Sequence, residues 1–242
     1  MSDKKKSTGD KTGGRMLTER VKTARKRTVS STRWLQRQLN DPYVIESRRL
    51  GYRSRAAFKL VQLDDRFHFL KPGKRVVDLG AAPGGWTQVA VERVKSLEPR
   101  GGKVVGIDIL EWAPIPGATV MTHDFLDDAA PAMLKEALSG PADVVLSDMA
   151  APTTGHPPTD HLRIIHMCEV ALHFALEVLA PGGTFVAKVF KGGTERELLD
   201  LLKRSFETVR HAKPPASRAE SAETYVVAMG FRAQTSRHPD EE

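Results

Sequence analysis

Apolar residues are not spread evenly along this chain. From Lys74 onward, short apolar bursts alternate with longer amphipathic stretches. The bursts RVVDLG, KVVGIDI, ADVVLS, TFVAKVF and TYVVAMGF are apolar nearly throughout, as strands covered on both faces must be. This pattern predicts strands at 74–79, 103–109, 118–122, 142–148, 183–190, 207–212 and 224–231. Between them, apolar positions recurring every three to four residues predict helices at 85–96, 128–138, 160–179 and 194–205. Strands alternating with helices of this length describe an α/β fold, a mostly parallel sheet with helices on both faces.

The N-terminal third reads differently. Residues 1–14 are Lys, Ser, Thr and Gly with almost nothing apolar, a composition that does not order alone. Ser30, Ser31 and Thr32 offer caps for a short helix over Arg33–Leu39, which Asn40, Asp41 and Pro42 then break. A further helical piece precedes Gly51, and another runs from about Arg55 to Phe69 before the turn at Pro72-Gly73. The predicted organisation is a basic, largely disordered arm over 1–32, one domain over 33–232 and a disordered tail over 233–242.

Charge sharpens this division. Residues 1–60 hold 17 Lys/Arg against 5 Asp/Glu, an excess of twelve positive charges, while residues 61–242 hold 20 against 25. A basic arm beside a mildly acidic body predicts contact with a polyanion; a solubilising tail or a targeting signal would carry the same charge. No stretch is long and apolar enough to cross a bilayer, and the N-terminus has no apolar signal core, so a cytoplasmic protein without membrane contact is expected. The single cysteine, Cys168, allows no internal disulfide and shares a helical stripe with Leu162, Ile165 and Leu172, which makes it a core thiol. His156, His161 and His166 are five apart, which is no metal-ligand spacing, so no metal is expected.

Candidate chemistry gathers at predicted strand ends. The first strand delivers Asp78-Leu79-Gly80-Ala81-Ala82-Pro83-Gly84-Gly85-Trp86, small residues that let a ligand approach the backbone at a helix start. Pro83 and the glycine spacing depart from the dinucleotide fingerprint, which disfavours a nicotinamide oxidoreductase. Asp108, Asp124 and Asp148 close the second, third and fourth strands, and with Asp78 they predict one acidic rim where open α/β sheets bind ligands. Lys188 stands inside an apolar strand, where an ammonium must be paired or put to use. Lys59, on an early helix, and Glu223, after a turn-rich segment, attract no attention alone.

In order along the chain, SRAAFKL, VVDLGAAPGGWTQ, LSDMA, LAPGGTFVAKVF and SRAESAETYVVAMGF closely resemble the bacterial RlmE/FtsJ ribosomal RNA methyltransferases, over about residues 30–232. The resemblance implies a Rossmann-like S-adenosylmethionine-dependent methyltransferase fold with a seven-stranded sheet and an antiparallel last strand. It implies methyl transfer to a uridine 2′-hydroxyl in the A-loop of 23S rRNA, in the 50S ribosomal subunit. By motif position, the family's catalytic tetrad falls on Lys59, Asp148, Lys188 and Glu223, and its cofactor contacts on Gly84, Trp86, Asp108, Asp124 and Asp148. In this reading Lys188 accepts the hydroxyl proton beside the cation Lys59, Asp148 orients Lys188, and Glu223 and Lys59 position the ribose. The family's SDMAPN reads SDMAAP here, through Ala150, Ala151 and Pro152. Arg33, Trp34, Arg37, Arg48, Arg49, Arg53 and Arg55 are the expected RNA contacts, and a monomer is expected. The rivals are a relative acting on tRNA or mRNA riboses and a non-catalytic assembly factor on the same scaffold.

Overall fold

The computed structural model describes residues 28–150, 154–190 and 196–233. Of the described residues, 28–45 belong to one compact unit and those from Glu46 onward to a second. The basic arm through Arg27, Ala151, Pro152 and the tail from Gln234 lie outside the described residues, as do the side chains of Arg33, Trp34 and Arg37.

Among the described residues three helices come first: α1 (Val29–Leu39), α2 (Pro42–Leu50) and α3 (Ala57–Phe67). Helix α1 begins four residues earlier than expected. Thr28, in extended conformation, takes the Ser31 N–H on its hydroxyl, so Ser30, Ser31 and Thr32 fall inside the first turn. Pro42 does not merely break the chain: it opens α2, where its missing N–H costs nothing.

The remaining elements are β1 (Arg75–Leu79), α4 (Gly85–Val94), β2 (Lys103–Asp108), β3 (Ala118–Thr122), α5 (Ala130–Leu138), β4 (Ala142–Ser147), α6 (Pro157–Val178), β5 (Leu179–Phe190), α7 (Arg196–Ser205), β6 (Phe206–Ala212) and β7 (Glu223–Phe231). The seven strands form one sheet in the order β3-β2-β1-β4-β5-β7-β6. Strand β7 runs antiparallel to both neighbours, and the other pairs are parallel. Strand β5 starts at Leu179, ahead of the expected 183, because Leu179 pairs with Ala142 before a register shift between Ala142 and Val144 carries the strand through APGG.

The central strands split their side chains by parity, as a pleated strand must. Val77, Val145, Phe185, Ala187 and Val226 join α5, α6 and α7 in one core. Val76, Val144, Val186, Tyr225 and Val227 join α3 and α4 in the other. Lys188 has the parity of Val186, and Glu223 that of Tyr225, so both belong to the face that α3 covers. The order of β1 and β4 also matters: from that pair the chain winds outward in both directions, and a cleft opens above their carboxyl ends.

Candidate active site

The turn after β1 is shaped by close approach. Gly80 and Ala81 both donate their N–H groups to Ile107 O, tying the loop to β2. Gly84 has φ +108°, and a Cβ there would fall 2.5 Å from Ile115 Cδ1 and 2.9 Å from the Trp112 ring. A larger residue would be both strained and displaced. A cleft beside this turn is lined by Ser54, Ala56, Asp78, Gly80, Ala81, Ala82, Pro83, Gly85, Trp86 and Asp148.

Of the expected cofactor residues, Trp86 and Asp148 line this cleft, whereas Gly84, Asp108 and Asp124 stand outside its wall. Trp86 is buried: its indole N–H donates to Ala56 O at 2.8 Å and its ring packs 5.6 Å from that of Tyr225. Asp108 ties the turn together, accepting from Ala82 N–H at 2.9 Å and Leu110 N–H at 2.8 Å. Asp124 is exposed and accepts from Leu126 N–H. Asp78 lies buried at the cleft floor, where the Thr87 hydroxyl donates to it at 2.7 Å. Burial pushes its carboxyl up to about 7 against the pull of that hydrogen bond.

The four residues of the expected tetrad converge. Strand register sets Lys188 opposite Tyr225 and Phe190 opposite Glu223, and α3 brings Lys59 over the same face. Lys188 Nζ lies 2.8 Å from Asp148 Oδ1 and donates to the Asp148 carbonyl at 2.7 Å. Lys59 Nζ lies 2.8 Å from Glu223 Oε2 and 3.5 Å from Asp148 Oδ2. Lys188 and Glu223 are 3.9 Å apart. The lysine side chains are 8–9% exposed, and the two carboxylates compensate them, which is the condition for burying charge at all. Burial works to raise the Asp148 carboxyl, but the ammonium groups of Lys188 and Lys59 and the hydrogen bonds from Lys188 and Tyr225 outweigh it, so the group is held below its ordinary value.

Three further residues complete the arrangement. The Tyr225 hydroxyl donates to Asp148 Oδ1 at 2.6 Å, and its ring lies under Lys59 Nζ at 5.7 Å. The buried Ser217 hydroxyl donates to Glu223 Oε1 at 2.7 Å. Ser54 Oγ is buried at the cleft wall with no hydrogen-bond partner among the described residues. Nothing in the sequence singles out Tyr225, Ser217 or Ser54 beyond residue type.

The basic cluster is only partly free. Arg48 is exposed, and Arg49 pairs with Glu46 at 2.5 Å. Arg53 donates to Pro83 O, Ala113 O and Pro114 O, and Arg55 donates to Ala216 O at 2.6 Å. Cys168 sits in the core, its thiol pushed up to about 12 by burial. Among the described residues no helix is long and apolar enough to cross a membrane, and no group of His, Cys, Asp or Glu is placed to hold a metal ion.

A cleft at the switch point of an open sheet, floored by carboxylates and flanked by two buried lysines, defines an α/β transferase of the Rossmann-like methyltransferase type. The chain belongs to the FtsJ-like methyltransferase family, whose model matches residues 52–231. It is 74% identical over 238 residues to ribosomal RNA large subunit methyltransferase E of Paramagnetospirillum magneticum, spanning 96% of this chain and 98% of that one. It is 68% identical over 221 residues to the protein of the same name from Rhodospirillum rubrum, spanning 91% and 84%. A solved structure from Plasmodium falciparum, assigned as a ribosomal RNA methyltransferase, superposes with a TM-score of 0.66 at 34% identity, over 74% of this chain and 98% of that one.

Proposed function

We propose that this enzyme transfers a methyl group from S-adenosylmethionine to the ribose 2′-hydroxyl of a uridine in 23S rRNA of the large ribosomal subunit, acting as a cytoplasmic monomer. The observation that carries the reading is the interlocked Lys59-Asp148-Lys188-Glu223 cluster at the edge of the glycine-walled cleft.

The cleft suits the donor. Its carboxylates match a cation, Gly80 and Gly85 let the Met149 and Ser54 side chains pack close against the turn, and the Ser54 hydroxyl, without a hydrogen-bond partner among the described residues, is ready to hydrogen-bond a polar ligand. Trp86 and Asp148 would hold the donor directly. Asp108 and Gly84 shape its loop, and Asp124 closes the rim. When bound, S-adenosylmethionine supplies an electrophilic methyl group on a positively charged sulfur.

The residues of the chain then have to place a hydroxyl and remove its proton. Before the ribose is deprotonated, the Lys188 ammonium gives one proton to solvent; the resulting free amine has two N–H bonds and one lone pair. Its two contacts with Asp148, at Oδ1 and the carbonyl, occupy both N–H bonds, so the lone pair is left to take the ribose proton. Lys59 meanwhile compensates Glu223 and Asp148, so the carboxylates are not stranded while Lys188 is uncharged. Glu223, fixed by Ser217 and Lys59, orients the acceptor ribose. The basic arm and Arg48 supply sequence-independent phosphate contacts.

The test is labelled methyl transfer from S-adenosylmethionine to large subunits purified from a strain lacking the gene, with subunits from the parent strain and bulk tRNA alongside. Label on the unmodified subunits alone is expected. Label on tRNA alone would move the enzyme to another RNA, and no label with cofactor binding intact would make the chain an assembly factor.

A further inference from the structure

Arg53 belongs to the run of basic residues that reads as an RNA surface, yet the structure gives its side chain another occupation. The guanidinium donates through Nη1 to Pro83 O at 3.1 Å and to Ala113 O at 2.6 Å, and through Nη2 to Pro114 O at 2.6 Å. Pro83 lies in the turn after β1 and lines the cleft. Ala113 and Pro114 lie in the loop after β2, between Trp112 and Ile115, the two buried residues pressed against Gly84. One side chain therefore joins the two loops that meet at Gly84.

The clamp is itself braced. Gln88, on α4, accepts the Arg53 N–H at 2.8 Å and donates to Gly51 O at 3.0 Å, so the backbone carrying the guanidinium is fixed to the helix that the cofactor turn opens. A planar fork whose donors are spread over two terminal nitrogens suits three carbonyls in fixed positions; a lysine ammonium has three donors but must aim them all from one nitrogen. All three acceptors are neutral carbonyls, so the contact fixes geometry rather than charge.

We propose that Arg53 is a positioning residue for the methyl donor: it locks the cofactor turn to the Trp112–Ile115 loop and so sets donor affinity rather than RNA affinity. This rests on the cleft being the donor site. The structure assigns the sequence-neighbouring Arg53 and Arg48 to different tasks, one turned inward to loop carbonyls and the other left exposed.

The experiment compares the full chain with Arg53→Ala and Arg53→Lys. Calorimetry with S-adenosylhomocysteine and S-adenosylmethionine measures cofactor affinity, filter binding to an A-loop RNA at several salt concentrations measures the RNA term, and steady-state kinetics separates KM from kcat. In Arg53→Ala, cofactor Kd and KM should rise about tenfold, with kcat at saturating donor and the salt slope of RNA binding unchanged. Arg53→Lys should recover part of the affinity and, with thermal melting as control, carries the test if the alanine variant does not fold. Unchanged cofactor affinity overturns the proposal; if the salt slope also falls by about one, Arg53 is a phosphate contact. Failure of the unaltered chain to bind either cofactor would instead strike the proposed function.

Discussion

Lys188 meets Asp148 twice, at the carboxylate oxygen Oδ1 (2.8 Å) and at the backbone carbonyl (2.7 Å). A structural ion pair needs only the first contact. The second fixes the orientation of the nitrogen, and orientation matters when a lone pair must face an incoming hydroxyl. Lys188→Ala should therefore lower the transfer rate by a factor on the order of 10² to 10⁴ while cofactor affinity stays within a few-fold. Lys188→Arg should be equally inactive, because a guanidinium does not give up its proton. Single-turnover rates and calorimetry on both variants check this; activity restored by arginine would show that charge alone suffices.

Tyr225→Phe isolates the orientation of Asp148. The change removes the 2.6 Å hydrogen bond to Oδ1 and keeps the ring that packs on Trp86 and lies under Lys59. Stability should fall by about 2 kcal/mol, the usual net worth of a hydrogen bond to a charged group. The transfer rate should fall by about tenfold as Asp148 gains freedom. Denaturant unfolding and single-turnover kinetics measure the two effects separately.

Gly84→Ala should be costly where Gly51→Ala is mild. Both glycines have positive φ, but a Cβ at Gly84 meets Ile115 and Trp112, and one at Gly51 meets nothing within 4 Å. Strain alone costs about 1 kcal/mol or somewhat more, while strain with a collision costs several. Gly84→Ala should also weaken cofactor binding. Equal unfolding midpoints for the two variants would mean that the Trp112–Ile115 loop does not press on the turn.

Asp78 makes stability depend on pH. Its carboxyl is pushed up to about 7 by burial, with the charges of Asp148 and Asp108 adding to the effect, so the folded chain holds this proton more tightly than the unfolded chain does. The stabilisation is complete below about pH 4, near the unfolded pKa, and is lost as pH rises through 7. Over that window Asp78→Asn should gain on the unaltered protein by about 1 kcal/mol per pH unit. Denaturant midpoints at pH 5, 6 and 7 measure the difference, and parallel curves would mean that Asp78 enters the fold already charged.

Much of this architecture is legible along the chain because strands covered on both faces must be apolar throughout. Lys188 stood out for the same reason, as a cation in an apolar strand. Tyr225 did not, because a tyrosine in TYVVAMGF reads as core, and only register shows its hydroxyl meeting Asp148. Glu223 and Lys59 were visible only through the family resemblance, since each is an ordinary charge until α3 and β7 bring them to 2.8 Å. Arg53 and Arg55 were read as surface because a sequence counts charges and does not show carbonyls in reach. The start of α1 was misplaced because four of the five residues from Thr28 to Thr32 can cap: Thr28, Ser30, Ser31 and Thr32 compete, and Thr28 wins.

The central claim is that the lysine-carboxylate cluster deprotonates a ribose. The most direct measurement is alkaline hydrolysis of RNA labelled by this enzyme from S-adenosylmethionine carrying a tritiated methyl group. A 2′-O-methyl group blocks cleavage at its own phosphate, so the label should be recovered in one alkali-resistant dinucleotide, and at a rate lower by a factor on the order of 10² to 10⁴ with Lys188→Ala. Label recovered in mononucleotides would place the methyl group on a base and contradict the account.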